Sequence, residues 1–472
     1  MLKKIFLHTL IYGFAPHVSK FATLLILPLL TANLTELDYG VSGIILSYMG
    51  LLVLFETLGL RLIMVNTFYH HTNHFLQRWK FIYGILKVWM FPFLILNGVL
   101  LYLIIPSVAE NKFFEILFLI SLPKLFFGTE QLVFTTYYQL KENPFQIGIR
   151  SMLIGFLAVF ITYYTIVNLK MGYMGWFWAT FFANFIGGFS YWWHLRYKIK
   201  LRPIFIFKYK LIRQFLKISL PTIPHNYSLY LLDSSDRLVM DQTSVSTSQI
   251  GEYNFAYTFA NYFSMISTAV GIAIGPMVNQ KLKQGKEHEL RTIMFSIQLL
   301  FFNLTFIFSI WCKEIFSLLV RNEKLASLYP LAIILVMSYN YRPQYLTVSF
   351  RLFFQEKTAK IWRISFIAGL LNLILNIILI PIFGFKVAAI TTFISLIYMG
   401  YYGFIFSDYK NLKIELKYYP LFWLTTQIIL TIVAYNFCNE SVLVKIILCG
   451  IVFLSFLAFI FKNKEVLIGS SR

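Results

Sequence analysis

Long apolar runs recur from one end of the chain to the other, and they constrain the fold more than any other feature. A helix needs about 20 predominantly apolar residues to cross roughly 30 Å of hydrocarbon. Runs of this length occupy nearly all of the 472 residues, so we predict an all-α polytopic membrane protein with about 14 transmembrane helices. The predicted spans are near residues 5–30, 40–66, 81–106, 113–138, 146–168, 171–193, 215–239, 248–278, 291–311, 326–350, 360–382, 384–406, 418–436 and 441–461.

Composition excludes a soluble enzyme built on one core. Hydrophobic residues make up 58% of the chain, charged residues make up 13%, and the mean hydropathy is +0.69. The three cysteines, Cys312, Cys438 and Cys449, have neither CxxC spacing nor a neighbouring histidine cluster, so we expect no metal site, no cofactor and no disulfide framework. The apolar run that follows Met1-Leu2-Lys3-Lys4 lacks a cleavage site, which favours a first span over a removed leader.

Positive charge follows the connections between spans. If the N-terminus is cytoplasmic, most of the 41 Lys and Arg residues fall on the cytoplasmic side. The opposite side receives only Lys112, Lys170, Lys313, Arg321, Lys324 and Lys386. This asymmetry is the positive-inside pattern. We therefore predict a multi-pass membrane protein with both termini in the cytoplasm.

The longest basic connection runs from His194 to Lys217, midway along the chain, and it interleaves charge with apolar residues. It predicts a linker that lies on the inner leaflet between two halves. Two readings stay open: the charges only enforce topology, or they contact anionic headgroups.

A short echo relates the two halves. Ala15-Pro16-His17 opens the first half, and Ile223-Pro224-His225 opens the second. Each is followed by a turn into the next helix, at Asp38-Tyr39-Gly40 and at Ile250-Gly251-Glu252-Tyr253. The pattern indicates an internal repeat, and transporter sites tend to lie where repeats meet.

No nucleophile elbow, Walker loop, HExxH or paired-carboxylate motif is present, so we expect no catalytic residues. Ionisable residues within spans are the informative ones, because each costs about 2.5–3.5 kcal/mol at a helix centre. In the seventh span, Asp233, Asp236 and Arg237 share one helical side, which we expect to face a cavity. Alternatively, Asp236 and Arg237 lie at the outer boundary and snorkel into water.

Further ionisable residues are scattered through other predicted spans. They are Lys20, Glu56, Arg61, Lys87, Lys124, Glu130, His225 and Arg342. Cations exceed anions in this set, which predicts a cavity for an anion such as a pyrophosphate, although ion pairing or snorkelling accounts for any single residue. The carboxylates Glu56 and Glu130, and the histidines His17 and His225, are candidates for binding a coupling proton.

Two further patterns have structural explanations. The GxxxG spacing of Gly271 and Gly275 predicts that two helices approach closely there. The cluster of His70, His71 and His74 has no carboxylate or cysteine beside it, which favours a solvated loop over a metal site.

The order of several motifs across helices seven and eight resembles a known family. These are Ser219-Leu220-Pro221 to Pro224-His225, then Ser235-Asp236-Arg237, then Ile250-Gly251-Glu252-Tyr253-Asn254, then Gly275-Pro276. The order, with the span count and the basic linker, resembles Wzx-type O-antigen flippases, which are polysaccharide transporters of the multidrug/oligosaccharidyl-lipid/polysaccharide (MOP) exporter superfamily.

The resemblance implies passage of an undecaprenyl-pyrophosphate-linked sugar unit from the cytoplasmic to the periplasmic face. It also implies a MATE-like arrangement of two pseudo-symmetric six-helix lobes: an N-terminal lobe (1–193), a basic linker (194–214), a C-terminal lobe (215–406), and two added helices with a tail (407–472). Basic cavity residues are a tendency of the family, and Lys20, Arg61, Lys124, Arg237 and Arg342 are the candidates for substrate binding. Glu56, Glu130, Asp233, Asp236 and His225 are the candidates for coupling or ion pairing.

Other partners and functions stay open. A proton or sodium ion could drive the cycle, and a polysaccharide polymerase or chain-length protein could act beside the flippase; nucleic acid is not expected. A multidrug exporter of the same superfamily should have an acid-dominated cavity. An oligosaccharide polymerase or ligase should have a long periplasmic loop, and the longest predicted outer connection is short. Other polyprenyl-linked glycans fit equally well.

Overall fold

The computed structural model describes residues 18–70, 74–406 and 418–464. Over these residues the chain is almost entirely helical and contains no strand. A helix, or a pair of consecutive helices, lies at each predicted span, and ten of the described helices are long and apolar enough to cross a membrane. The predicted all-α, multi-pass membrane fold is confirmed, while the count of 14 spans stays a prediction. His17 and His71 lie outside the described residues.

The chain divides into two compact units. The first comprises Met1–Tyr230 and Ser246–Gly251, and the second comprises Leu231–Val245 and Glu252–Arg472. Two helices pass from one unit to the other, α9 (Ile223–Gln242) and α10 (Thr247–Lys283).

The first unit is a helical bundle. Its helices are α1 (Val18–Thr31), α2 (Glu36–Glu56), α3 (Leu60–His70), α4 (Phe75–Ile104), α5 (Phe113–Leu140), α6 (Pro144–Tyr163), α7 (Met174–His194) and the short amphipathic α8 (Tyr209–Ser219). Glycines let α7 lie close to its neighbours: a Cβ on Gly187 would be 2.6 Å from Ile154 of α6, and one on Gly188 would be 2.3 Å from Phe127 of α5. Close backbone approach through small residues is the usual way that membrane helices associate.

The first turns of α2 and α10 are in close contact within the first unit. A Cβ on Gly251 would lie 1.7 Å from the Glu36 carbonyl oxygen and 2.6 Å from the Gly40 nitrogen. A Cβ on Gly40 would lie 1.9 Å from the Thr247 carbonyl oxygen. Only glycine at both positions allows this approach. The two residues are those that the internal echo pairs in the sequence.

The second unit is also helical. Its remaining helices are α11 (Glu287–Ile310), α12 (Cys312–Leu319), α13 (Glu323–Ala326), α14 (Tyr329–Ser338), α15 (Arg342–Phe354), α16 (Thr358–Phe383), α17 (Val387–Tyr401), α18 (Pro420–Phe437) and α19 (Val442–Lys462). Both α18 and α19 pack on α11.

Buried polar contacts fix the two last helices in place. Gln427 of α18 is fully buried and accepts a hydrogen bond of 3.1 Å from Tyr401. Lys445 of α19 is fully buried and pairs with Glu314 at 2.5 Å.

Candidate functional site

Two neighbouring cavities lie inside the first unit. The smaller, of about 210 Å³, lies between α2, α5 and α7 and is lined by Ser42, Leu46, Met49, Gly50, Val53, Leu119, Ile120, Lys124, Trp176, Phe177, Thr180 and Asn184. The larger, of about 410 Å³, is lined by Lys20, Gln131, Ser151, Ile154, Gly155, Ala158, Thr180, Ala183, Asn184, Gly187, Gly188 and Tyr191. Thr180 and Asn184 line both, so the cavities meet at the middle of α7.

A lysine lines each cavity, and no described lining residue is acidic. Lys20 belongs to α1 and Lys124 to α5, and the rest of the lining is apolar, small or neutral and polar. On α6, Ser151, Gly155 and Ala158 recur at intervals of four and three residues and so lie on one face. Their small side chains give the larger cavity its room.

Lys124 is held by a carboxylate from another helix. Its Nζ lies 2.9 Å from Glu56 Oε2, and both side chains are partly buried. The ammonium also lies 5.6 Å from the centre of the Phe93 ring. Lys124 is therefore positioned at the cavity wall by an ion pair and an aromatic face. An anion in the cavity would compete with Glu56 for it.

Glu130 is neutralised inside the helix bundle. It is fully buried, its Oε1 lies 2.7 Å from Lys87 Nζ, and the same oxygen accepts a 2.5 Å hydrogen bond from the Tyr83 hydroxyl. Thr129 donates to Oε2 at 3.1 Å. Each described candidate carboxylate of the first unit, Glu56 and Glu130, thus has a lysine partner.

Arg61 lies apart from Lys20 and Lys124. It is on α3, lines neither of the two cavities, and donates to Gln139 Oε1 at 2.6 Å in an exposed position. Lys20 and Lys124 therefore lie at cavity walls, whereas Arg61 lies at an exposed contact between two helices.

In the second unit, Asp236 is enclosed by neutral polar groups from three helices. It is fully buried on α9 and accepts hydrogen bonds from Tyr253 of α10, from Asn376 of α16 at 2.6 Å and from Thr392 of α17 at 3.1 Å. The Asn372 amide lies 2.8 Å from the same carboxylate. No cationic nitrogen of a described residue lies within 4.0 Å of it.

Asp233, Asp236 and Arg237 of α9 have different environments. Asp233 is exposed, Asp236 has no exposure, and Arg237 is 4% exposed. Arg237 donates to Asn254 at 3.2 Å and stacks on the Tyr257 ring at 4.1 Å. Of these three residues, which the sequence predicts to face a cavity from one side of the helix, only Asp233 is exposed. Asp236 contacts other helices rather than a cavity.

Arg342 carries an unused donor. Its guanidinium lies 5.4 Å from the Tyr345 ring centre, and its buried Nε has no hydrogen-bond partner among the described residues. Both Arg342 and Arg237 interact electrostatically with the exposed Asp233. His225 is the remaining candidate, and its side chain lies outside the described residues.

Sequence reasoning missed the neutral partners of Asp236. A signal was present, because Asn372 and Asn376 are spaced i, i+4 in the otherwise apolar stretch 366–383 and therefore share one face. The adjacent Thr391 and Thr392 complete the set, since Thr391 donates to Asn376 at 2.5 Å.

The polysaccharide biosynthesis protein family matches residues 1–282, more than half of the chain. The chain belongs to this family. No curated protein matches it in sequence.

Solved structures with the same fold are transporters. A lipid II flippase, MurJ, in an inward closed conformation has a TM-score of 0.74 at 15% identity, over 98% of this chain and 99% of that one. An inward-facing multidrug resistance MATE family transporter of the MOP superfamily has a TM-score of 0.59 at 12% identity, over 92% and 96%. A MOP superfamily transporter from Pyrococcus furiosus, described as having reverse polarity of its binding pocket, has a TM-score of 0.54 at 13% identity, over 91% and 96%. The chain is a multi-pass membrane protein with the fold of these transporters.

Proposed function

We propose that this protein is a flippase that moves an undecaprenyl-pyrophosphate-linked oligosaccharide from the cytoplasmic to the periplasmic leaflet of the bacterial inner membrane, for O-antigen or another surface polysaccharide. The observation that carries the proposal is the lining of the two cavities in the first unit, where lysines are the only charged residues among those described. Such a lining favours an anionic substrate over the cationic drugs of a multidrug exporter. Membership of a polysaccharide biosynthesis family supports a glycan substrate.

In this proposal the cations bind the pyrophosphate while the polyprenyl tail stays in lipid. Lys20 and Lys124 provide ammonium groups at the two cavity walls. Lys124 would exchange Glu56 for a phosphate oxygen, and Glu56 would pair with Lys124 again when the substrate leaves. Arg237 and Arg342 remain substrate-binding candidates from the sequence alone. Neutral polar groups at the shared wall, Thr180 and Asn184, are available to sugar hydroxyls.

The proposal is tested by complementing a deletion strain and measuring on which face of the inner membrane the lipid-linked unit accumulates. Lys20→Gln and Lys124→Gln should each trap units on the cytoplasmic face, because a hydrogen bond to a charged group contributes about 1.5–3 kcal/mol, roughly 10- to 100-fold in affinity. Lys283→Gln, an exposed lysine outside both cavities, is the matched control and should complement fully. Arg61→Gln shows whether Arg61 belongs to the path. Full complementation by both cavity variants at normal protein levels would refute the proposal.

Asp236 is our proposed binding group for the coupling proton or sodium ion. Glu56 and Glu130 already have lysine partners, whereas Asp236 accepts hydrogen bonds from hydroxyl and amide groups and forms no ion pair with a described residue. Oxygen ligands of this type suit a small hard cation as well as a proton. Asp236→Asn keeps the shape and removes the charge, so it should abolish ion-dependent transport in proteoliposomes while the protein remains folded. Transport by Asp236→Asn that still responds to the ion gradient would exclude this assignment.

A further inference from the structure

The connection between α7 and α9 is anchored to the first unit along one side. Leu201 is 1% exposed, and the Ile204 amide donates to the Lys80 carbonyl oxygen at 2.9 Å. A Cβ on Gly84 would lie 2.0 Å from the Ile204 carbonyl oxygen, so this segment lies directly on the backbone of α4. On α8, Phe215 is buried against Phe81, with ring centres 6.2 Å apart.

The other side of the same segment presents bulky apolar residues. Phe205 is 58% exposed, Ile206 57%, Phe207 50% and Tyr209 74%. Residues 202–207 lie outside any helix. Irregular backbone of this kind does not cross lipid hydrocarbon, because its polar groups would be unsatisfied there. The exposed aromatic residues therefore lie at an interface level, where aromatic side chains partition favourably.

Eight cations flank the apolar residues, and none of them pairs with an acidic residue that the structure describes. They are Arg196, Lys198, Lys200, Arg202, Lys208, Lys210, Arg213 and Lys217. The sequence contains no Asp or Glu between Leu195 and Leu232, and none of the eight forms an ion pair with a described residue. All except Arg196 are exposed. Basic residues beside exposed aromatic residues are complementary to an anionic lipid surface.

We propose that this connection, residues 198–217, is a docking surface for anionic phospholipid of the cytoplasmic leaflet. Phe205, Ile206 and Phe207 insert at the boundary between headgroups and acyl chains. Lys208, Lys210 and Arg213 bind the phosphates around them. The contacts of Ile204 and Phe215 hold the segment in place, so lipid binding acts on a fixed surface rather than on a free tether.

The experiment uses the full-length protein in vesicles, with a fluorophore on Ile206→Cys and with Cys312, Cys438 and Cys449 replaced by alanine. Lipids with brominated acyl chains quench a fluorophore that reaches them. We expect strong quenching in vesicles that contain phosphatidylglycerol and much weaker quenching in pure phosphatidylcholine. A triple change of Lys208, Lys210 and Arg213 to glutamine should weaken phosphatidylglycerol binding at this fixed segment by roughly 100-fold, about fivefold per cation, and high salt should act in the same direction.

Gln284→Cys is the matched control position, because it lies exposed between Lys283 and Lys286 in a basic turn without aromatic residues. Basic residues without aromatic neighbours should not bring the fluorophore at Gln284→Cys into contact with the acyl chains, so it should remain unquenched. If Ile206→Cys is quenched no more than Gln284→Cys, the segment lies in water and is free for a protein partner, which overturns the proposal. If the quenching of Ile206→Cys does not change with phosphatidylglycerol, salt or the triple change, only apolar contacts hold the segment at the lipid. The assignment of an anionic lipid would then be wrong. Elution as a single monodisperse species confirms that each variant is folded.

Discussion

Replacing Gly251 with alanine is expected to disrupt the closest helix contact in the first unit. The new Cβ would lie 1.7 Å from the Glu36 carbonyl oxygen and 2.6 Å from the Gly40 nitrogen. Non-bonded heavy atoms rest about 3.5 Å apart, so α2 and the start of α10 must separate by roughly 1.5–2 Å. Both obstructing atoms belong to backbone and cannot rotate away. Overpacking typically costs about 1–3 kcal/mol, and we expect the upper end of that range here.

Thermal unfolding in detergent, followed by the fluorescence of the nine tryptophans, measures the effect. Gly271→Ala is the control on the same helix, because its Cβ would meet only the Leu346 side chain, at 3.5 Å and 3.7 Å. Alanine favours a helix over glycine by up to about 1 kcal/mol, so Gly271→Ala should be neutral or stabilising. Equal stability of the Gly251→Ala and Gly271→Ala variants would refute the reasoning from the close contact.

Two further variants test other contacts. Glu314→Gln should destabilise the fold by about 1–3 kcal/mol, because it leaves the fully buried Lys445 without its charge partner, although solvent screens the half-exposed Glu314, whereas Lys445→Met should cost less; unfolding in denaturant distinguishes them, and equal losses would contradict this. Gly84→Ala should lift the segment around Ile204 from α4 and speed tryptic cleavage within residues 198–217, as seen by mass spectrometry of limited digests. Unchanged cleavage would mean that this segment is not held by the contact.

The positions of the helices were predictable, because each span must present a long apolar stretch to lipid whatever its neighbours are. Close approaches between helices were less predictable from the sequence. The GxxxG spacing predicts one at Gly271 and Gly275, but a Cβ at either would sit at an ordinary 3.5 Å from a side chain. That prediction is wrong at this place, since spacing alone does not specify which helix lies opposite. The demanding approach is at Gly40 and Gly251.

For the candidate site, the sequence identifies the charged residues but not their partners. Lys124 and Glu56 are separated by 68 positions, and nothing local relates them. Asp236, Asp233 and Arg237 share a stretch of helix, yet each finds a different environment, because α10, α16 and α17 all contact Asp236 whereas Arg237 contacts α10. Pairing is decided by tertiary packing, which one sequence does not reveal.

The last two helices, α18 and α19, are packed into the second unit. Trp423 of α18 is buried against Phe302 of α11, and Asn303 donates to the Val452 carbonyl oxygen of α19 at 3.4 Å. A shortened gene that ended before Pro420 would turn this interior into a lipid-facing surface with polar groups exposed to hydrocarbon. Any smaller relative that dispenses with these helices would have to rebuild the face of α11, so the minimal folded length of this protein extends to α19.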